Sequence, residues 1–163
     1  MPEKKMLIAD YDLQSLENMA KLFEAQEFKI IKATDGHQAY QKFKEEKPDI
    51  VILEAMLPKL HGFDLTLKIF QETKGQVPVI IVTGVYKGPQ YKNEALRSFG
   101  ASDYFEKPVD EDKLVGAVLN LLSEDEDIDE ELPSPQSVIE TVAKMTKKSS
   151  SPLKREVSSL KKN

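Results

Sequence analysis

Cysteine and tryptophan are both missing from the 163 residues of this chain, and aromatic side chains make up only 7% of it. Without cysteine there is neither a disulfide framework nor a thiolate zinc site, which fits a reducing, cytoplasmic setting. Histidine is nearly absent as well. His61 has no second His, Cys or paired acid near it in sequence, and His37 reads the same way, so both are expected to be surface loop residues and not metal ligands. No apolar stretch approaches the ~20 residues of a membrane-spanning helix, and the start, Met1-Pro2-Glu3-Lys4-Lys5, leads into a run too short for a signal-peptide core. No glycine-rich loop follows the first apolar run, where Asp10-Tyr11-Asp12-Leu13 stands, which argues against a phosphate-cradling nucleotide site. Neither a nucleophile elbow nor a nucleophile–histidine motif occurs, so no enzyme is expected. The net charge of −5 gives no general reason to expect nucleic-acid binding.

What is present is a regular alternation. Met6-Leu7-Ile8-Ala9 reads as a buried strand, and Leu13 to Gln26 as a helix with Leu16, Met19, Ala20 and Phe23 on one face. Ile30-Ile31 with Ala33, Ile50 to Leu53, Val77 to Val82 and Ser102 to Glu106 supply four more strands. Helices are predicted between them at about Gln38 to Lys47, Phe63 to Phe70 and Tyr91 to Phe99, the last ending at Gly100, a natural left-handed cap. A final helix is expected over Glu111 to Leu122. Near-continuous apolar strands separated by amphipathic helices imply a doubly wound five-stranded parallel sheet with helices on both faces. Ligands in such sheets sit beyond the carboxyl ends of the strands. Asp10, Glu54, Thr83 and Lys107 stand at those ends, so four polar residues from distant parts of the chain are expected to converge on one edge.

After Leu122 the composition changes. Residues 123–131 form an acidic run that reads as a solvated linker or a fraying helix end. Ser137-Val138-Ile139-Glu140 has the form of a capping box opening a short amphipathic stretch, and lysines at 144, 147 and 148 precede a second basic piece to Lys162. The expected organisation is a domain over residues 1–122 and a linker with a basic, largely disordered tail over 123–163. Contact of that tail with nucleic acid, an anionic membrane or a protein partner is an alternative use of its charge.

Several segments together carry a resemblance: Leu7-Ile8-Ala9-Asp10, Pro48 to Glu54, Met56-Leu57-Pro58 with Gly62, Val82-Thr83-Gly84, and Gly100 to Pro108. In this order and spacing they resemble the receiver domain of two-component response regulators, the CheY-like family, over about Lys4 to Leu122. The resemblance implies a flavodoxin-like fold and a role in phosphorelay signal transduction rather than catalysis. In that family an aspartate at the position of Glu54 accepts a phosphoryl group, a step that depends on positioning and charge neutralisation. A pair of acids after the first strand, the acceptor carboxylate and a backbone carbonyl at the position of Met56 hold Mg²⁺. The resemblance gives Lys107 the phosphate charge and Thr83 a phosphoryl oxygen, makes Tyr104 the aromatic that turns inward on activation, and implies a cis Lys107–Pro108 bond.

Two positions depart from the pattern. Glu54 stands where the acceptor aspartate belongs, and Tyr11 where the second acid belongs. A phenol is protonated near neutral pH and makes a poor Mg²⁺ ligand, and the extra methylene moves the carboxylate by ~1.5 Å. Phosphoryl transfer tolerates such misplacement badly. Of the metal ligands implied by the resemblance, Asp10, Glu54 and the Met56 carbonyl remain, so Mg²⁺ binding is expected to be weakened; alternation points Asp12 elsewhere. Glu54 then either reaches toward Thr83 or Lys107 and holds an active-like state, or simply pairs with Lys107 as an inert remnant. The expected function is that of a stand-alone, atypical response regulator working through protein–protein contact. By resemblance, its partners are a histidine kinase or downstream effector at the face made by the fourth helix, fifth strand and fifth helix, or a second copy of the chain. A phosphorylation-competent regulator, or a scaffold presenting the basic tail, are the alternatives.

Overall fold

The computed structural model describes residues 3–131, with side-chain surroundings through residue 123. The capping box at 137–140 and the basic pieces from 144 onward lie outside the described residues. Five strands form one sheet: β1 (Lys5–Ala9), β2 (Lys29–Ala33), β3 (Ile50–Leu53), β4 (Val79–Thr83) and β5 (Asp103–Glu106). Their order is β2-β1-β3-β4-β5, and every neighbouring pair is parallel. The order reverses at β1, which leaves β1 and β3 side by side at the centre. The connecting helices are α1 (Leu13–Glu24), α2 (Gly36–Glu46), α3 (Gly62–Thr73) and α4 (Pro89–Ser98), and α5 (Glu111–Glu131) follows β5.

Alternation along each strand sorts the core into two layers. Leu7, Ala9, Val51, Leu53, Val79 and Ile81 pack with Ala39 and Phe43 of α2, Leu65 and Ile69 of α3, and Ala95 of α4. Met6, Ile8, Ile50, Ile52, Ile80 and Val82 point the other way, against Leu16, Met19 and Phe23 of α1 and Leu114, Val118 and Leu122 of α5. Both faces of the sheet are therefore covered, which is why the strands carry so few polar residues. The chain is a doubly wound α/β protein, as the alternation predicts, with the flavodoxin-like strand order that the resemblance implies.

The boundaries differ from the sequence reading in one substantial place. The last helix continues to Glu131, through the acidic run read as a linker or fraying end. Glutamate is a strong helix former, so a run of acids need not interrupt a helix. The chain divides into two units, residues 1–122 and 123–163, and the first holds the whole sheet. No helix among the described residues is long and apolar enough to cross a membrane.

Candidate functional site

Strand register builds the site. Ala9 pairs with Leu53 across the central strands, so the next residues, Asp10 and Glu54, emerge side by side. The Glu54 N–H donates to the Ala9 carbonyl at 2.9 Å, extending the ladder just past the strands. At the other edge Thr83 pairs with Glu106, and the following Lys107 N–H donates back to the Thr83 carbonyl at 2.8 Å. The Lys107–Pro108 peptide bond is cis. Among the described residues the buried polar or charged side chains are Asp10, Glu54, Thr66 and Thr83. Thr66 is satisfied within α3, its hydroxyl donating to the Gly62 carbonyl. The other three meet at the carboxyl edge of the sheet.

Lys107 bridges the two acids there. Its ammonium lies 2.8 Å from Asp10 Oδ2 and 3.1 Å from Glu54 Oε1. Burial pulls the Lys107 ammonium toward neutrality, but hydrogen bonds and charge from Asp10 and Glu54 outweigh it, and its pKa is raised overall. Glu54 is tied on both oxygens. Oε1 also accepts the Gly84 N–H at 3.2 Å, and Oε2 accepts the Met56 N–H at 3.1 Å. The fully buried side chain thus joins β3 to the loops after β3 and β4 and to the loop after β5. Asp10 Oδ1 accepts the Asp12 N–H at 2.9 Å.

Thr83 and Tyr104 stand close by, with their hydroxyls engaged elsewhere than on Glu54. The Thr83 hydroxyl oxygen turns into the β4–α4 loop, accepting from the N–H groups of Val85 at 3.1 Å and Tyr86 at 3.4 Å. Tyr104 is inward and 4% exposed, its hydroxyl donating to the Tyr86 carbonyl. Burial, together with the negative charges of Glu106 and Glu54, pushes its phenol up to about 12.

Asp12 plays the part that alternation suggests. It is the N-cap of α1, Oδ1 accepting from the Gln14 and Ser15 N–H groups, and so is engaged away from the acid pair. Asp12→Ala is expected to lower stability by about 1 kcal/mol, the usual worth of such a cap, read from the denaturant midpoint. Tyr11 is 47% exposed. The carboxylates that the structure brings to this edge, those of Asp10 and Glu54, are both bound to Lys107. Among the described residues no group of three or more His, Cys, Asp or Glu could hold a metal ion.

His37, expected in a surface loop, is exposed but lies in the first turn of α2, while His61 stays in the loop before α3, half-exposed, and gains partners there. It is the N-cap of α3, Nδ1 accepting the Phe63 N–H at 3.2 Å, while Nε2 lies 3.2 Å from the Tyr86 hydroxyl. Histidine is not among the common capping residues, so the sequence signal was only its place just before a predicted helix. Tyr86 itself carried no signal, because loop side chains follow no period.

A five-stranded parallel sheet in this order, with acids and a lysine gathered at its carboxyl edge, defines the class of CheY-like signalling folds. The chain belongs to the response regulator receiver domain family, whose model matches residues 6–119. It is 29% identical over 120 residues to protein PilH of Pseudomonas aeruginosa, covering 73% of this chain and 98% of PilH. With the transcriptional regulatory protein CpxR of Escherichia coli K12 it shares 33% over 118 residues, 72% of this chain and 49% of CpxR. It likewise spans 42% of the regulatory protein PhoP of Bacillus subtilis. The chain thus covers less than half the length of those two regulators and nearly all of PilH. Among solved structures, a response regulator receiver domain protein from Clostridium thermocellum superposes with a TM-score of 0.70 at 28% identity, over 77% of this chain and 98% of that one. The CheX–CheY–BeF3–Mg²⁺ complex from Borrelia burgdorferi gives 0.67 at 28% identity, over 73% and 89%. Receiver domains act in two-component signalling, typically with Mg²⁺ at the acidic site.

Proposed function

We propose that this receiver domain, taken as residues 1–122 with an accessory segment at 123–163, signals through protein–protein contact without ordinary aspartyl phosphorylation. The observation that carries this is the state of Glu54. Its carboxylate is buried, one methylene longer than the family's acceptor, and held by Lys107, Gly84 and Met56 together. A nucleophile so engaged has to break these contacts before attacking a phosphoryl donor. The donor set also fits Mg²⁺ poorly. A hard dication seeking near-octahedral oxygens would have to displace the Lys107 ammonium from both carboxylates, with Tyr11 in place of a third. No step through the metal is therefore part of this reading. Of the two roles for Glu54, the tie to both loop amides and the inward Tyr104 support an active-like arrangement held in place without phosphoryl transfer. The absence of a Thr83–Glu54 hydrogen bond limits the imitation of phosphate to the lysine and the two amides.

The face made by α4, β5 and α5 then serves as the readout, toward a kinase, an effector or a second copy. A groove of about 840 Å³ lies there, bordered by Lys92, Glu106, Lys113 and Asn120 among others, and mixed charge at its rim suits a polar protein partner.

Incubation with acetyl phosphate and Mg²⁺ followed by intact-mass analysis tests the proposal. The parent chain is expected to gain no phosphoryl mass, and the variant Glu54→Asp/Tyr11→Asp to gain one. A phosphoryl adduct on the parent would overturn the reading in favour of a phosphorylation-competent regulator.

A further inference from the structure

The inward position of Tyr104 needs a cause where no phosphoryl group sets it, and the loop between β4 and α4 supplies one. Tyr104 donates to the carbonyl of Tyr86, so its position is only as firm as that of Tyr86. Several contacts fix Tyr86, among them two hydrogen bonds and ring packing. Its N–H donates to the Thr83 hydroxyl at 3.4 Å, its hydroxyl meets His61 Nε2 at 3.2 Å, and its ring packs edge-on against Tyr91 at 5.3 Å. The loop is pinned again at its far end, where the Gly88 N–H donates to Glu106 Oε2 at 2.6 Å.

His61 is the part of this arrangement that reaches across from another element. As the N-cap of α3 its Nδ1 accepts the Phe63 N–H, which uses the lone pair on that nitrogen. The neutral ring then carries its proton on Nε2, the nitrogen that faces Tyr86. The imidazole is thus oriented by the helix end and donates to the Tyr86 hydroxyl. Phe63, the residue whose amide orients it, forms the common wall: its ring contacts His61 at 5.4 Å, Tyr86 at 5.9 Å, Phe99 at 5.2 Å and Tyr104 at 6.4 Å. One end of α3 therefore touches both the residue that holds Tyr104 and Tyr104 itself.

We propose that His61 and Tyr86 form a latch that keeps Tyr104 inward in the unmodified protein, so that the α4–β5–α5 face is set by a hydrogen bond from the end of α3. The latch rests on the reading that no phosphoryl group sets this face, and it makes His61 a positioning residue for the readout. Capping alone is the competing role, and it predicts effects confined to α3.

Two variants separate them. His61→Asn keeps a good capping side chain and removes the imidazole, while Tyr86→Phe removes only the hydroxyl. Tyrosine labelled with ¹³C at Cζ reports the Tyr104 environment, nuclear Overhauser contacts between the Phe63 and Tyr104 rings report the inward state, and amide exchange at Phe63 reports the cap. Each variant is expected to raise the outward population of Tyr104 about fivefold, the effect of one net hydrogen bond, with Phe63 protection retained in His61→Asn. Unchanged Tyr104 signals in both variants would overturn the latch and leave His61 a cap. Release by His61→Asn with Tyr86→Phe silent would overturn it too, since the hydroxyl would then carry nothing. Phosphoryl uptake by the parent, with Tyr104 still released by both variants, would remove the phosphorylation-free reading while supporting the latch.

Discussion

Lys107→Met is expected to lower the stability of the protein by about 3 kcal/mol near neutral pH, measured by denaturant unfolding. Removing one partner of a buried ion pair leaves the others uncompensated, at a cost of about 3–5 kcal/mol. The lower end applies because the Lys107 side chain keeps 24% of its exposure, whereas those of Asp10 and Glu54 keep 7% and 1%. The deficit comes from two carboxylates facing each other with no cation between them. Adding Glu54→Gln to Lys107→Met should therefore recover a good part of it, because the amide removes one charge at nearly the same volume. No recovery in the double variant would show that the loss is one of packing along the lysine stem. The pH dependence of the parent has a definite sign. Its Lys107 pKa is raised in the folded state, so the contribution of this group is complete below the ordinary value of 10.5 and is lost as pH rises through the higher folded value. An alkaline fall in stability that is weakened in Lys107→Met is the expected signature.

The second large effect is expected at Gly62. A Cβ there would lie 2.5 Å from the Glu54 carbonyl oxygen and 2.7 Å from Ala55 Cα and its carbonyl oxygen. These are backbone atoms, which cannot rotate aside, and the Gly62 N–H already donates to the Ala55 carbonyl at 2.7 Å. Gly62→Ala must push the β3–α3 loop away from the start of α3, at a cost of about 3 kcal/mol for an overpacked site, or about 10 °C in Tm for a domain of this size. The same displacement carries the Met56 amide off Glu54. Amide chemical shifts of Met56 and Gly84 should move together with the fall in Tm. A Tm within 2–3 °C of the parent, allowing for the roughly 1 kcal/mol that such a small shift represents, would mean that the loop yields without strain.

Lys107 and Glu54 are the centre of a tie that joins several loops, and Gly62 is the point where one of those loops rests on α3. If the face of α4, β5 and α5 is held in one arrangement, the holding is done here and at the His61–Tyr86 contact. A partner would then meet a standing surface, and regulation would have to come from how much of the protein is present or from what else binds it.

Periodicity alone made the architecture legible. Apolar strands with no polar face demand cover on both sides, and amphipathic segments between them provide it, so the parallel sheet and the helices follow from residue type and spacing. The convergence of Asp10, Glu54 and Lys107 follows too, because the end of a strand in a parallel sheet has one place to go. The departures at Glu54 and Tyr11 were visible in the sequence as residue types at fixed positions.

Orientation was decided only in the folded chain. Thr83 can turn its hydroxyl toward Glu54 or into its own loop, and no residue type nearby chooses; the path of the β4–α4 loop does, by aiming the amides of Val85 and Tyr86 back at it. Alternation already turned Asp12 from the acid pair, but its hold on the free N–H groups at the start of α1 belongs to the folded helix end. His61 has no periodic partner and no capping pattern, so its role waits on α3 and the β4–α4 loop meeting in space. Strand and helix follow largely from local residue order, which is why only an end such as that of α5 departed from expectation. The direction of a polar side chain depends on which donors and acceptors are left unsatisfied nearby, and where a distant segment supplies them, as Tyr86 does for His61 and Lys107 for Glu54, only the tertiary structure brings them together.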